Sequence, residues 1–157
     1  MAINFPKGSQ DFPFDANWAG DYGNAVSISA QSTWTDLGLQ TPDITIKDTD
    51  SQLVYWGSLS TEVDGTGTGH GVCRVRQSSD GGSSWTTHQA FNITGANDND
   101  IGCGFCAYWD HDKSAGTTIR LKAEYLKNGD SGSNHTVADT GPGFAPHSRL
   151  FMMEVNS

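Results

Sequence analysis

The chain has 157 residues, 35% of them hydrophobic and 17% charged, 19 glycines, and a formal net charge of −9. That length suits one domain able to bury a core without disulfides or metal, and Gly, Ser, Thr, Asn and Asp between short apolar runs are the composition of a turn-rich all-β protein. Nine Lys and Arg spread along an acidic chain exclude the clustered basic surface that nucleic acid or an anionic membrane needs, leaving protein or glycan as the expected partner.

Residues 1–24 form an irregular arm in which Phe5, Phe12, Phe14, Trp18 and Tyr22 are interleaved with Pro6, Gly8, Pro13, Gly20 and Gly23 and follow neither a helical nor a strand period. Aromatic side chains in such an arm either fold back over the domain or dock into a neighbouring protein as anchors. The first residues hold no apolar core of signal-peptide length, and no later run approaches the ~18 residues of a membrane span. A soluble protein of reduced compartments is therefore expected. Three cysteines are an odd number, which leaves an intermolecular bridge open.

From residue 25 onward the pattern predicts nine strands, at 25–30, 43–47, 51–63, 71–77, 85–93, 101–110, 118–125, 134–139 and 148–155. Alternation is clearest where Leu53, Tyr55, Leu59 and Val63 share a face. The same holds where Ile101, Cys103, Phe105, Ala107 and Trp109 share one, and where Ile119, Leu121, Ala123 and Tyr125 oppose Thr118, Arg120, Lys122 and Glu124. Turn clusters such as Asp48-Thr49-Asp50, Asp80-Gly81-Gly82 and Gly141-Pro142-Gly143 separate the strands. With no repeat at a fixed period, this is an antiparallel jelly-roll sandwich, residues 25–157, carrying the arm. The final strand is apolar on both faces. Placing Phe151, Met153 and Val155 in the core leaves Leu150 and Met152 outside, as an interface with another copy.

Few motifs point to chemistry. Ser78-Ser79-Asp80-Gly81-Gly82-Ser83-Ser84-Trp85 is similar to the Asp-box of sialidases, a structural hairpin in which Asp80 bonds backbone N–H groups, Gly82 takes positive φ and Trp85 packs beneath; it occurs once and carries no active site. Cys103 and Cys106 point to opposite strand faces, so they read as buried small hydrophobes rather than a metal pair, the alternative being that Cys106, on the other face, meets a neighbouring subunit. Residues 97–100 and Asp110-His111-Asp112 offer oxygen ligands for a structural calcium ion, but turn chemistry accounts for them equally. No cofactor is expected. The five histidines lack metal-ligand spacing and read as loop residues, no serine sits in a nucleophile elbow, and no carboxylate pair stands out for glycosidase work.

Trp34-Thr35-Asp36-Leu37, the 53–63 strand, the hairpin from Arg74 to Trp85, the strand 117–123 and the close from Ser148 to Val155 together resemble the TNF/C1q-like jelly rolls of tailed-bacteriophage virion proteins, including capsid decoration proteins, head fibres and tail-fibre tips. The resemblance implies a homotrimer whose C-terminal strand lies near the threefold axis. A short arm in place of a fibrous shaft favours a non-enzymatic capsid decoration or head or collar-fibre protein. It would dock on the major capsid or another virion protein through Phe5, Phe12, Phe14, Trp18 and Tyr22, self-associate through Leu150 and Met152, and assemble into the virion in the host cytoplasm. The alternative is a glycan-binding receptor-recognition module, as a tail-fibre tip or lectin, using Trp56, Trp85, Tyr108 or Trp109 on one apical surface. A glycosidase acting on cell-surface sugar is the weaker alternative.

Overall fold

The computed structural model describes residues 26–64, 70–94, 101–128, 134–137 and 148–155. Ten strands and no helix occur among them: β1 Val26–Ile28, β2 Trp34–Gln40, β3 Ile44–Thr45, β4 Gln52–Asp64, β5 His70–Ser78, β6 Thr86–Thr94, β7 Ile101–Asp110, β8 Thr118–Asn128, β9 Asn134–Val137 and β10 Arg149–Val155. They build two five-stranded antiparallel sheets. In the first, β4 pairs along one edge with β7, and along the other with β10 over its first half and β9 over its second, β1 flanking β9. In the second the order is β6, β5, β8, then β2 and β3 side by side on the far edge of β8. The sandwich expected from the sequence is the observed architecture.

Period-two alternation assembles the core. Leu53, Tyr55 and Leu59 of β4 face Val75 and Cys73 of β5 and Ile119, Leu121, Ala123 and Tyr125 of β8, all buried, with Leu37, Leu39, Phe105 and Val137 closing the sides. At roughly 1.5 to 3 kcal/mol for each large side chain removed from water, this layer is the main source of stability. Val63, expected on the same face, has a side chain outside the described set, as do residues 1–25 with the whole aromatic arm.

Two expectations are corrected. The strand Trp34–Gln40 is additional to the nine that the sequence pattern predicts, because a bulge hides its period: Gly38 has φ 69° and donates its N–H to Asp36 Oδ1 at 2.9 Å, and the register against β8 shifts between Asp36 and Gln40. In the last strand the two faces are exchanged. Leu150 and Met152 are 2% and 3% exposed in the core, whereas Phe151, Met153 and Val155 are half-buried on the opposite face. The pairing decides the parity, since Met152 lies opposite the inward Tyr55 and Glu154 opposite the inward Leu53. Leu150 and Met152 are thus core residues and no interface between copies.

Glu154 explains why the inward parity holds at the end of β10. Its carboxylate accepts the N–H of Lys47 at 2.9 and 3.0 Å, the N–H of Asp48 at 3.0 Å and the hydroxyl of Ser51, fastening the turn that leads into β4. Several donors on one carboxylate make this a strong, directional clasp.

Candidate functional site

The outer faces of the two sheets differ in chemistry. On the β6-β5-β8-β2 sheet, Glu124 accepts from Arg74 at 2.6 Å, Arg76 at 3.2 Å and Lys122 at 2.8 Å, and Lys122 also pairs with Asp36 at 2.9 Å. Arg74 lies 4.0 Å from the centroid of the Trp34 ring, Lys122 4.7 Å from that of Trp85, and Arg120 grips Asp43 through two bonds. Burial disfavours the charge on Glu124, yet the hydrogen bonds from Lys122, Arg74 and Arg76 outweigh it and hold the carboxyl below its ordinary range. Four of the nine cationic side chains therefore form a polar, water-facing surface.

The outer face of the other sheet is apolar. Strand pairing arranges β10, β4 and β7 in rows: Arg149-Ser58-Gly104, Phe151-Trp56-Cys106, Met153-Val54-Tyr108 and Val155-Gln52-Asp110. The two central rows carry no charge, and the only charged residues, Arg149 and Asp110, stand at diagonal corners. Trp56 stacks on Phe151 with ring centroids 5.5 Å apart at 25°, while Tyr108 is 72% exposed. An apolar depression beside it is lined by Val54, Cys106, Ala107 and Tyr108. With strands about 4.8 Å apart and residues about 3.3 Å apart, the three-strand patch covers on the order of 300 Å², the size at which an apolar patch on a monomer becomes informative.

This face replaces Leu150 and Met152 as the candidate contact surface. Its signal was present in the sequence: Val54 and Trp56 in β4, and Cys106 and Tyr108 in β7, are apolar at positions between the inward residues, as Phe151 and Met153 are in β10. Cys106 is exposed in the second row and Cys103 packs against the core, so the two sulfurs lie on opposite faces as expected. Cys73 is buried beneath β5, and burial pushes its thiol up to about 12.

Trp56, Trp85, Tyr108 and Trp109 do not share an apical surface. Trp56 and Tyr108 belong to the apolar face and Trp85 to the charged one, while Trp109 lies on the inward side of β7 against the core. Three of the described histidines, expected as ordinary loop residues, are buried or half-buried instead. His135 is fully buried in β9, where its Nδ1 lies 2.9 Å from the Tyr125 hydroxyl, and His88 is half-buried in β6. His111 is 2% exposed and has both ring nitrogens engaged, with the Lys113 N–H and the Ser51 hydroxyl. This removes the ring from any calcium-binding role for Asp110-His111-Asp112. Among the described residues no three His, Cys, Asp or Glu groups are placed to hold a metal ion; residues 97–100 lie outside them.

The Asp-box forms the β5-β6 hairpin. Asp80 accepts the Ser84 N–H at 2.9 Å, the Ser84 hydroxyl at 2.5 Å and the Ser78 hydroxyl at 2.7 Å; Gly81 and Gly82 take φ 72° and 93°, and Trp85 lies beside Gly82. These donors, the Ser84 hydroxyl foremost, hold the Asp80 carboxyl far below the usual carboxylate range. A depressed folded-state value means that the contribution is complete above the unfolded value near 3.9 and is lost as pH falls toward the folded value. The Tm difference between wild type and Asp80→Ala is accordingly expected to be largest above about pH 5 and to shrink steadily toward pH 2, as thermal unfolding at a series of pH values would record.

No family model matches the chain, and no curated protein matches it. Among solved structures it is similar to those of infectious bursal disease virus Gt strain and Gx strain, at 14% sequence identity in both cases, with TM-scores of 0.42 and 0.38. The alignments cover 90% and 88% of this chain, which spans only about a third of the matched chains, 36% and 35%.

Proposed function

We propose that the protein is a non-enzymatic structural component of a virion, a homotrimeric decoration or head or collar-fibre protein of the TNF-like jelly-roll kind. It self-associates through the outer face of the β10-β4-β7 sheet and attaches to the particle through Phe5, Phe12, Phe14, Trp18 and Tyr22. The observation that carries the reading is the contrast between two sheets of one sandwich, one finished with an ion-pair network and the other with six uncharged side chains, Trp56 among them. An antiparallel sheet that ended in water on both outer faces would have no use for the second arrangement.

A second copy is the occupant that suits the patch. Both partners carry a net charge of −9, so contact is least opposed where neither presents an excess of charge, and the diagonal Arg149 and Asp110 let opposite corners meet. A patch on the order of 300 Å² is short of the ~800 Å² that each partner hides in a stable interface; the strand edges beside it are proposed to supply the remainder. Three arms on one trimer then bind the particle with avidity that a single arm lacks.

Sedimentation equilibrium tests the association. Wild-type protein is expected as a trimer at micromolar concentration and Trp56→Glu as a monomer, with an unchanged far-UV spectrum and stability lowered by about 1 kcal/mol through loss of the Phe151 stack. A monomeric wild type, or a Trp56→Glu protein as oligomeric as wild type, would sink the reading. Attachment is tested on the full chain with Phe5, Phe12, Phe14 and Trp18 replaced together by Ala, which is expected to stay trimeric but no longer to co-sediment with particles lacking the protein.

A further inference from the structure

The sandwich is open between its edge strands β6 and β7, and the opening is a cavity of about 240 Å³ whose walls include Thr87 and His88 on one side and Trp109, His111 and Asp112 on the other. Drug-sized ligands occupy about 300 to 1,000 Å³, so this space suits one ring rather than an extended chain. Its aromatic wall is held rigidly. His88 lies against Trp109 with ring centroids 3.9 Å apart at 31°, and the buried Tyr55 meets both rings edge-on at 5.4 and 6.0 Å.

The hydrogen bonds fix what the cavity offers a ligand. The Tyr55 hydroxyl donates to Gln89 Oε1 at 3.1 Å, so at 3.0 Å it accepts from His88 Nδ1–H, and Nε2 is left as an acceptor. Burial lowers the His88 pKa, keeping the ring neutral and that lone pair available at neutral pH. His111 is committed elsewhere. Its Nδ1 accepts the Lys113 N–H at 3.0 Å and its Nε2–H faces the Ser51 hydroxyl at 3.0 Å, which anchors the turn where Asp112 adopts φ 51°. Trp109, the acceptors at His88 and Asp112, and the hydroxyl of Thr87 thus line one small space.

We infer that this cleft binds a single neutral pyranose, the C–H face of the sugar against the aromatic wall and its hydroxyls donating to His88 Nε2 and the Asp112 carboxylate. Asp112 and Lys113 line the cavity side by side, so its wall carries no net charge that would select an ion, and the chain's net charge of −9 disfavours anionic ligands at longer range; among the described residues no metal-binding group of three is present. A planar apolar ring would leave the polar groups of the wall unpaired, whereas a sugar satisfies them while covering the indole. The inference does not depend on the virion reading or on the oligomer, since every residue it uses belongs to one chain.

The test is titration of the full-length protein with the methyl glycosides of glucose, galactose, N-acetylglucosamine and rhamnose, followed by amide chemical shifts. At least one is expected to give saturable shifts at residues 86–88 and 109–113, with a dissociation constant of about 0.1 to 10 mM, the range for one small ligand with few hydrogen bonds. His88→Phe keeps an aromatic ring on Trp109 but removes Nε2, and Asp112→Ala removes the carboxylate; each is expected to weaken binding at least about tenfold, the equivalent of one hydrogen bond. Trp56→Glu, on the opposite side of the sheet, is expected to leave the affinity unchanged, which separates failure of this site from failure of self-association. Absence of saturable shifts with all four glycosides, or shifts that survive both cleft replacements, would overturn the inference.

Discussion

Met152→Glu is expected to unfold the sandwich rather than merely to separate its copies. Met152 is 3% exposed, lies opposite the buried Tyr55 and has Thr41 Oγ1 3.8 Å from its sulfur as its polar neighbour. A carboxylate placed there gains no cationic partner, and an uncompensated buried charge costs about 3 to 5 kcal/mol. Set against a net stability of about 5 to 15 kcal/mol for a domain, that removes from about a fifth to all of it, and the lost apolar burial of the methionine adds to the cost. Urea unfolding followed by near-UV circular dichroism would register it as loss of the native baseline. Trp56→Glu, one position along the ladder in the facing strand but on the outer face, is the control that should keep that baseline. If Met152→Glu instead folded with wild-type stability, the inward assignment of β10 would be wrong.

Gly57→Ala is expected to be nearly as damaging for a different reason. β4 and β10 approach so closely at this point that a Cβ on Gly57 would collide with the carbonyl oxygen of Arg149, and the Phe105 Cζ would stand 2.5 Å away. The ring has some freedom to rotate, but the carbonyl belongs to the ladder and has none, so the strands must separate or β4 must twist. Overpacking of this kind costs about 1 to 3 kcal/mol, and more where backbone must move. A Phe105→Ala background should therefore recover little of the loss, because the backbone clash persists. Full recovery in that double variant would show the ring, rather than the strand pairing, to be the obstacle. Chemical denaturation of the single and double variants measures the difference directly.

How much of the fold was legible depends on whether each strand had a distinct face. Over residues 118–124 β8 alternates apolar with polar or charged residues, and over residues 101–105 β7 alternates apolar residues with glycine, so both their existence and their inward residues were readable. β2 was hidden because the bulge at Gly38 breaks the alternation that identifies a strand. β10 was readable as a strand but not in its parity, since Leu150 and Met152 are as apolar as Phe151 and Met153. Only the distant pairing of Met152 with Tyr55 distinguishes the two. The cleft had no local signature, as His88, Trp109 and Asp112 come from separate segments and the decisive proton arrangement depends on Tyr55 and Gln89. The Asp-box was fully legible because its bonds run between Ser78, Asp80 and Ser84, within a few residues of one another.

The clasp of Glu154 on the Lys47, Asp48 and Ser51 turn joins positions 103 to 107 residues apart, and this has a kinetic consequence. Contacts of such separation form only after a large entropic loop closure, which places sandwiches among the slow-folding topologies. Until β10 docks, the edge of β4 that it covers presents unpaired N–H and C=O groups next to an uncovered Trp56. A chain caught at that stage offers a strand-shaped vacancy that the β10 of any neighbouring chain fits as well as its own. Crowded assembly thus carries a standing risk of strand exchange, and the Glu154 clasp, once closed, is what keeps each molecule's last described strand at home.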